Sequence, residues 1–305
     1  MENKKEFFLN LNDSALKKEI AEHLGKLSNG ISVIDHPVEN PNFIIVDAHN
    51  IEKYDEAFLR QHGEKIILLS ELSDEHNILN YIAKYPINHL IGINGNNVIL
   101  ELENTINKIL SSQIWGLKQY MHPMTQITTE GISDSRQIDG VIQKALGKID
   151  YSAYFESPLN YLQVMSNELL TNALYNGIAH RNIINVKEGI DRKKEVFLKG
   201  SEHILFSVAA DEFAVGISVQ DSFGKLDRDK VVASLKRSFI EKTAQEKEGG
   251  AGLGLYMIFN HSNQFILNTK KNKRTEVIAI IDSNRRFKKY RERITSFHYY
   301  EEVSS

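Results

Sequence analysis

The sequence predicts an α/β domain followed by an α+β domain, and two patterns support this. Over residues 1–120, short β-branched runs alternate with amphipathic helical stretches, which is typical of a parallel sheet covered by helices on both faces. Over residues 121–284, helical stretches are grouped with closely spaced strands, which favours an antiparallel or mixed sheet packed against helices. Residues 285–305 then form a C-terminal tail.

The elements of the first domain follow from its apolar runs. Asp13 is a predicted N-cap for a helix that ends at Leu27. A long helix is predicted over about residues 97–120. The predicted strands are residues 6–11, 31–35, 42–48, 65–71 and 88–94.

The second domain begins with a predicted strand, and two helices follow it. The second helix has Pro158 in its first turn, a position that proline favours. Two alternating strands lie within residues 203–224, and another helix begins after a glycine cluster. The predicted elements are a strand at 125–131, helices at 133–148 and 158–179, and a last strand at 274–282. In the tail, residues 285–303 alternate basic and aromatic side chains, and an amphipathic helix is expected there.

Composition narrows the classes of function. The chain has 305 residues, a net charge of −3 and no cysteine, so thiol catalysis, thiolate zinc sites and disulfides are excluded. No global field favours nucleic acid, which is not an expected partner. The N-terminal residues do not resemble a secretory signal, and no apolar run approaches the length of a membrane span. We expect a cytoplasmic protein without a membrane partner.

A glycine cluster is the first motif with chemical meaning. Gly250, Gly252 and Gly254 alternate with Ala251 and Leu253, directly before an apolar helical stretch. Glycine lets the backbone approach a ligand closely, and the N-terminus of a helix offers free N–H groups to phosphate. A dinucleotide fingerprint is excluded because a charged segment, not a strand, precedes the glycines, and the Gly-Lys-Ser/Thr string of a P-loop is absent.

Two further motifs carry acids and amides. Glu168, Asn172 and Asn176 are spaced four residues apart and share one stripe of a predicted helix. An amide oxygen is a suitable ligand for Mg²⁺ beside phosphate, and a carboxylate can deprotonate an attacking hydroxyl. Asp221 ends a predicted strand and enters a turn with Gly224, where a carboxylate can accept the exocyclic amine of adenine; taken alone, such motifs are more often a solvated helix edge and an ordinary turn.

In this order, the three motifs resemble the GHKL-type ATPase domain that gyrase, sensor histidine kinases and MutL share. The resemblance covers about residues 122–283 and implies a Bergerat-fold α/β sandwich that binds ATP and Mg²⁺. It implies that Glu168 is the general base, that Asn172 is the Mg²⁺ ligand and that Asp221 recognises adenine. It assigns the remaining nucleotide contacts to Asn176, Gly224, Gly250, Gly252, Leu253, Gly254 and Thr275, and an ATP lid to residues 225–249. The chain departs from the family at Phe223 and Lys225, where the family's first glycine box has glycines.

Among these proteins the second domain looks most like the anti-sigma-factor serine kinases. The resemblance implies transfer of the ATP γ-phosphoryl group to a serine or threonine of a partner protein. The expected partners are an anti-sigma antagonist, a sigma factor or a response regulator-like protein, and a homodimer is a further expectation. Two alternatives stay open: a non-catalytic ATP-sensing regulator that sequesters a partner, and an orphan histidine kinase with His122 as phosphoacceptor.

The first domain resembles a response-regulator receiver, which implies a flavodoxin-like parallel sheet. Asp47 ends the third strand, where receivers keep their phosphoacceptor aspartate, and Ser70 ends the fourth strand. The acidic pair of the first strand and the lysine of the fifth are absent, and both are needed to hold Mg²⁺ and phosphate. We therefore expect a pseudo-receiver used for docking or dimerisation, with Asp47 as the candidate phosphoacceptor.

Overall fold

The structure is a computed structural model that describes residues 5–27, 31–34, 42–71, 75–93, 98–150, 158–179, 195–244, 253–282 and 294–302. The chain divides into two units. The first unit is Met1–Gln113 with Glu292–His298, and the second is Ile114–Arg291 with Tyr299–Ser305. Both units combine helices with strands, so the α/β class predicted from the sequence is confirmed.

The first unit is built on a parallel sheet, as predicted. Its strands are β1 (Lys5–Asn10), β2 (Ile31–Ile34), β3 (Phe43–Asp47), β4 (Ile66–Ser70) and β5 (His89–Gly92), and its helices are α1 (Ser14–Leu27), α2 (Glu56–His62), α3 (Glu75–Lys84) and α4 (Val98–Ser111). The strand order is β2-β1-β3-β4-β5, and each adjacent pair is parallel. Asp13 caps α1, because its Oδ1 accepts from the backbone N–H groups of Ala15 at 2.8 Å and Leu16 at 3.0 Å.

The strands of the first unit are buried on both faces. Phe7, Leu9 and Ile45 form one apolar cluster with residues of α1 and α4. Phe8 and Ile44, which alternate with them along the same strands, are also buried. This two-sided burial is why the strands read as continuous apolar runs in the sequence.

The second unit is built on an antiparallel sheet covered by helices. Its strands are β6 (Ile127–Ile132), β7 (Ile204–Ala210), β8 (Ala214–Asp221), β9 (Gln264–Lys270) and β10 (Arg274–Asp282), and its helices are α5 (Ile138–Leu146), α6 (Leu159–Ala179), α7 (Arg228–Ala244) and α8 (Leu253–His261). The strand order is β9-β10-β8-β7-β6, with antiparallel pairing throughout. β9 and α7 are absent from the predicted elements, and α7 fills most of the segment that the family resemblance assigns to an ATP lid. Nowhere in the described ranges is a helix both long enough and apolar enough to cross a membrane.

The long helix predicted over 97–120 is wrong beyond Ser111, where α4 ends. Gly116 has a φ of +102°, in the region that glycine favours, and its N–H donates to the Glu276 carboxylate at 2.8 Å. Leu117, whose apolar side chain fitted the helical pattern, packs instead beside Gly216 of β8. Contacts with the second sheet therefore override the helical periodicity of this segment.

Glu276 lies at the centre of a buried polar cluster on this face of the second sheet. Its carboxylate accepts from the Ser218 hydroxyl at 2.8 Å and from the Asn268 side-chain amide at 3.0 Å, in addition to Gly116. Three donors from three segments satisfy the buried charge. The connecting segment that begins at Ile114 is thereby held against the sheet of the second unit.

The helix expected in the tail is wrong over Ser296–Glu301, and residues 283–293 lie outside the described residues. Residues Ser296–Glu301 form a strand, β11, in which Phe297 pairs with Leu90 of β5 in an antiparallel register. Phe297, Tyr299 and Tyr300 are buried. The run SFHYY is rich in aromatic residues, which favour strands. The prediction of an amphipathic helix came from the basic residues that precede this run.

His298 of β11 belongs to a buried cluster of polar side chains in the first unit. His298 Nε2 lies 2.9 Å from Glu101 Oε1, and its Nδ1 lies 3.4 Å from His89 Nδ1. Lys108, also buried, faces the same cluster. Burial, together with the nearby charge of Lys108, lowers the pKa of His298 to about 3. His298 is therefore neutral in the folded protein, so it donates Nε2–H to Glu101 and accepts from His89.

We expect the first unit to lose stability as the pH falls below about 6.5. The folded-state pKa of His298 lies below its ordinary value of 6.5, so the unfolded chain binds a proton first and the stability present above pH 6.5 declines toward pH 3. Urea unfolding midpoints measured between pH 7.5 and 4.5 should fall for the wild type and fall less for His298→Gln. An identical decline in the two proteins would contradict this assignment.

Candidate functional site

The two faces of the second sheet differ in what covers them. Leu117 and Met121 lie over Gly216 on one face, whereas α5, α6 and α8 pack against the strands. Side chains alternate along a strand, so Asp221, five residues after Gly216, points to the opposite face, toward the helices. Thr275 is the register partner of Asp221, and Thr269 is the register partner of Thr275, so the three side chains share that face.

Asp221 is a buried carboxylate at the end of β8. Its Oδ1 accepts from the backbone N–H groups of Phe223 at 2.8 Å and Gly224 at 3.3 Å, which closes the turn. Burial nevertheless raises the pKa of Asp221 to about 6. The nearby Thr275 hydroxyl opposes this rise in pKa, although the distance and angle between the two side chains are not those of a hydrogen bond. Burying an acid at this cost to stability suggests a functional role.

Glu168 lies against the first turn of α8. A Cβ atom placed on Gly254 would come within 2.0 Å of Glu168 Oε2, so a side chain at this position would displace the carboxylate. The half-buried acid of α6 and the helix that follows the glycine cluster therefore meet, as the motifs predict. A helix N-terminus carries a partial positive charge, which favours a negative group at this position.

Two glycines shape the turn after Asp221. Gly224 has a φ of +60°, and a Cβ there would collide with the backbone of Lys270 and Lys273 in the β9–β10 turn. The Phe223 ring packs directly on Gly177 of α6, where a Cβ would approach Phe223 Cδ2 to 2.1 Å. Phe223, the departure from the family pattern, thus occupies the space between this turn and α6.

The remaining predicted contacts fall into three groups. Asn172 is half-buried one helical turn after Glu168, and Asn176 is exposed one turn further. The carboxylate and the amide lie on one stripe, and this donor pair fits Mg²⁺, which takes one or two protein oxygens together with phosphate oxygens and waters. Leu253 begins α8. Gly250 and Gly252 lie outside the described residues.

Sequence reasoning missed Thr269 and Gly177. Thr269 Oγ1 and Thr275 Oγ1 are buried, and neither hydroxyl has a hydrogen-bond partner among the described residues. Thr269 was missed because its strand was not predicted, although the apolar run at residues 265–267 is typical of a buried strand. Gly177 directly follows Asn176 in a helical segment, and a glycine inside a helix is a signal of close packing.

Replacing Gly254 by alanine should move the Glu168 carboxylate without much change in the stability of the fold. The new Cβ would displace only the flexible end of Glu168, and alanine favours a helix by about 1 kcal/mol, so we expect a small change in stability. Displacement of the carboxylate should lower any phosphoryl transfer about 100-fold. Gly140→Ala in α5 is the matched control, because its Cβ would meet open space. Equal activity of Gly254→Ala and Gly140→Ala would contradict this arrangement.

In the first unit, the Asp47 carboxylate accepts hydrogen bonds from the loop that follows it and from Asn12. Its Oδ1 accepts from the N–H groups of His49 at 3.1 Å and Asn50 at 2.8 Å, and its Oδ2 accepts from the N–H of Asn12 at 2.5 Å. Asp13 also lines the small cavity beside it, about 60 Å³ in volume. These hydrogen bonds give Asp47 a structural role in shaping the loop.

His122, the candidate phosphoacceptor of the histidine-kinase alternative, lies in a turn. Its backbone N–H donates to Asp211 at 2.9 Å, and its Nδ1 accepts from the N–H of Met124 at 3.3 Å. The Thr125 hydroxyl donates to the same aspartate at 3.0 Å. These contacts explain the residue as part of a local turn.

Comparison with known proteins found no match, either to a family model or to a curated protein.

Proposed function

We propose that the second unit binds ATP with Mg²⁺ and transfers the γ-phosphoryl group to a serine or threonine hydroxyl of a partner protein. The contact of Glu168 with Gly254 carries this proposal. It brings an acid with the chemistry of a general base to the helix N-terminus that follows the glycine cluster. Phosphoryl transfer needs both groups at one place, because catalysis there consists mostly of positioning and charge stabilisation.

The buried acid and hydroxyls support recognition of the adenine base. Asp221, Thr275 and Thr269 form a buried polar row on the helix-facing side of the sheet. Two buried hydroxyls without a described partner would gain hydrogen bonds from a polar ligand. A carboxylate beside them can accept from the exocyclic amine of adenine.

Each side chain has a defined task in this proposal. Asn172 would hold Mg²⁺, which neutralises phosphate charge when bound. Glu168 accepts the proton of the attacking hydroxyl, whose oxygen forms a bond to the γ-phosphorus as the bond from that phosphorus to the bridging oxygen breaks and ADP leaves. The first turn of α8 binds phosphate oxygens through its N–H groups. The antiparallel sheet with α5, α6 and α8 on one face supports a Bergerat-type sandwich.

For the first unit we propose a receiver-like domain that works by docking. The strand order β2-β1-β3-β4-β5 is the order of flavodoxin-like doubly wound folds, which supports this resemblance. The hydrogen bonds that hold Asp47 favour a structural role for this residue. The first unit then serves in partner recognition, and the second unit in nucleotide binding.

Nucleotide affinity tests the site directly. ATP binding to the wild type should depend on Mg²⁺, and Asn172→Ala should weaken it about tenfold or more, since a metal ligand is lost. Asn160→Ala is the matched control on the same helix, at an exposed position. Isothermal titration calorimetry with and without Mg²⁺ measures both variants. Equal affinity in both variants, or no binding by the wild type, would argue against the nucleotide site.

One observation favours a second candidate, an ATP-sensing regulator without catalysis. Phe223 stands where the family has a glycine, and its ring packs on Gly177 and fills the space between the turn after Asp221 and α6. In this candidate, a bound nucleotide is a ligand that changes the affinity for a partner. ATP binding without hydrolysis or transfer to any partner would favour this candidate over the kinase.

A further inference from the structure

A groove of about 300 Å³ lies between α5 and α6, and Glu168 is one of its lining residues. Its apolar part consists of Ile142, which is buried, and Val164, whose side chain is 43% exposed. An exposed valine near the N-terminal end of α6, beside an open groove, has apolar surface left to cover. Asp139, in the first turn of α5, lies along the same groove.

Glu168 connects this groove with the phosphate end of the candidate site. The same side chain lines the groove and lies against Gly254 at the start of α8. A general base must stand between the phosphoryl donor and the hydroxyl that it activates. A hydroxyl that enters along the groove would therefore reach Glu168 from the side of α5.

The charges along the groove define what it can accept. Two acids, Asp139 and Glu168, line it, the other polar groups are neutral amides such as Gln143 and Asn167, and none of the described lining residues is basic. A cationic side chain is attracted to this wall, whereas a phosphorylated or acidic segment is repelled. The apolar pair Ile142 and Val164 offers a contact for one hydrophobic side chain.

We infer that the α5–α6 groove binds the acceptor segment of the partner protein, and that this segment carries a lysine or arginine close to its serine or threonine. The basic side chain pairs with Asp139, a neighbouring apolar side chain covers Val164, and the hydroxyl lies at Glu168. The inference deepens the proposed function, on which the role of the hydroxyl rests. The charge preference and the place of binding do not require nucleotide.

Synthetic peptides test the groove on the full chain. One series has a central serine flanked by arginine and leucine, and the second has glutamate in place of arginine. Fluorescence anisotropy at low salt, without nucleotide, measures the affinity of the chain for each series. We expect the arginine series to bind at least about tenfold more tightly than the glutamate series.

Two variants and two controls locate the binding. Val164→Arg and Asp139→Lys should each weaken binding of the arginine series about tenfold. Leu100→Arg is the control for the first, as another exposed apolar residue on a helix, and Glu56→Lys is the control for the second, as another acid in the first turn of a helix. Circular dichroism of all four variants checks that each is folded.

The outcomes separate this inference from the proposed function. Equal binding of both series, binding of neither, or unchanged binding in both groove variants would overturn the groove as the acceptor site. Failure of the wild type to bind ATP, together with tight and variant-sensitive binding of the arginine series, would overturn the proposed kinase and leave the groove as a peptide site. In a working kinase, Val164→Arg should raise the KM for the peptide and leave ATP affinity unchanged.

Discussion

Glu168→Gln is expected to lower phosphoryl transfer by about 10²- to 10⁴-fold while the affinity for ATP stays within about threefold of the wild type. Glutamine keeps the size and hydrogen-bonding shape of the side chain beside Gly254, but it cannot accept a proton from the hydroxyl. The rate of transfer from γ-labelled ATP to a partner, or to water, measures the first quantity. Calorimetry with Mg²⁺ and ATP measures the second.

The control for Glu168→Gln is Glu168→Asp, which keeps the carboxylate and shortens the side chain. Glu168→Asp retains a carboxylate that is withdrawn from the first turn of α8, so we expect an intermediate rate. A role in stability alone would make all three proteins equally active at a temperature where each is folded. Equal rates for Glu168→Gln and the wild type would remove this residue from the chemistry.

Asp221→Asn is expected to stabilise the protein and weaken its binding of ATP. Burial raises the folded-state pKa of Asp221 to about 6 from 3.8, so the folded protein binds more protons than the unfolded chain between these values. The stability of the wild type therefore falls as the pH rises from about 4 to 6, and the neutral amide should recover about 3 kcal/mol at pH 7. Loss of the charged acceptor should lower the affinity for adenine nucleotide about 10- to 100-fold.

Urea unfolding of the wild type and Asp221→Asn at several pH values measures the change in stability. Nucleotide titration measures the change in affinity for ATP. The stability difference should be small below pH 4, where the wild-type acid is protonated, and should reach its full size above pH 6. Asp211→Asn is the control, because this acid also closes a turn but its backbone donors lower its pKa. A destabilised Asp221→Asn with normal ATP affinity would leave the acid with a role in the turn only.

The sequence predicted the elements whose patterns are local. The strands of the first sheet, the cap at Asp13 and the helix that ends at Ala179 follow from apolar periodicity and from end signals, and they were found near their predicted bounds. The spacing of Glu168, Asn172 and Asn176 on one helix also follows from the sequence. The contact between Glu168 and Gly254 was expected only because the family resemblance assigns these two distant segments to one nucleotide site.

The errors occurred where contacts between distant segments decide the local structure. The periodicity of Ile114 and Leu117 fits a helix, but Gly116 at φ +102° and the buried Glu276 hold that segment on the second sheet. The alternating basic and aromatic tail suggested a helix, whereas Phe297 pairs with Leu90 in a strand. The packing of Phe223 on Gly177 depends on side-chain geometry that no pattern of single residues contains.

The attachment of the connecting segment also decides where the second unit can be cut from the chain. A recombinant fragment that starts at the sequence-based boundary of residue 121 would lack Gly116, and so the buried Glu276 carboxylate would lose one of its three donors. It would also lack Leu117, which covers Gly216. Expression of this unit on its own therefore requires a start at or before Ile114, seven residues earlier than the periodicity suggests.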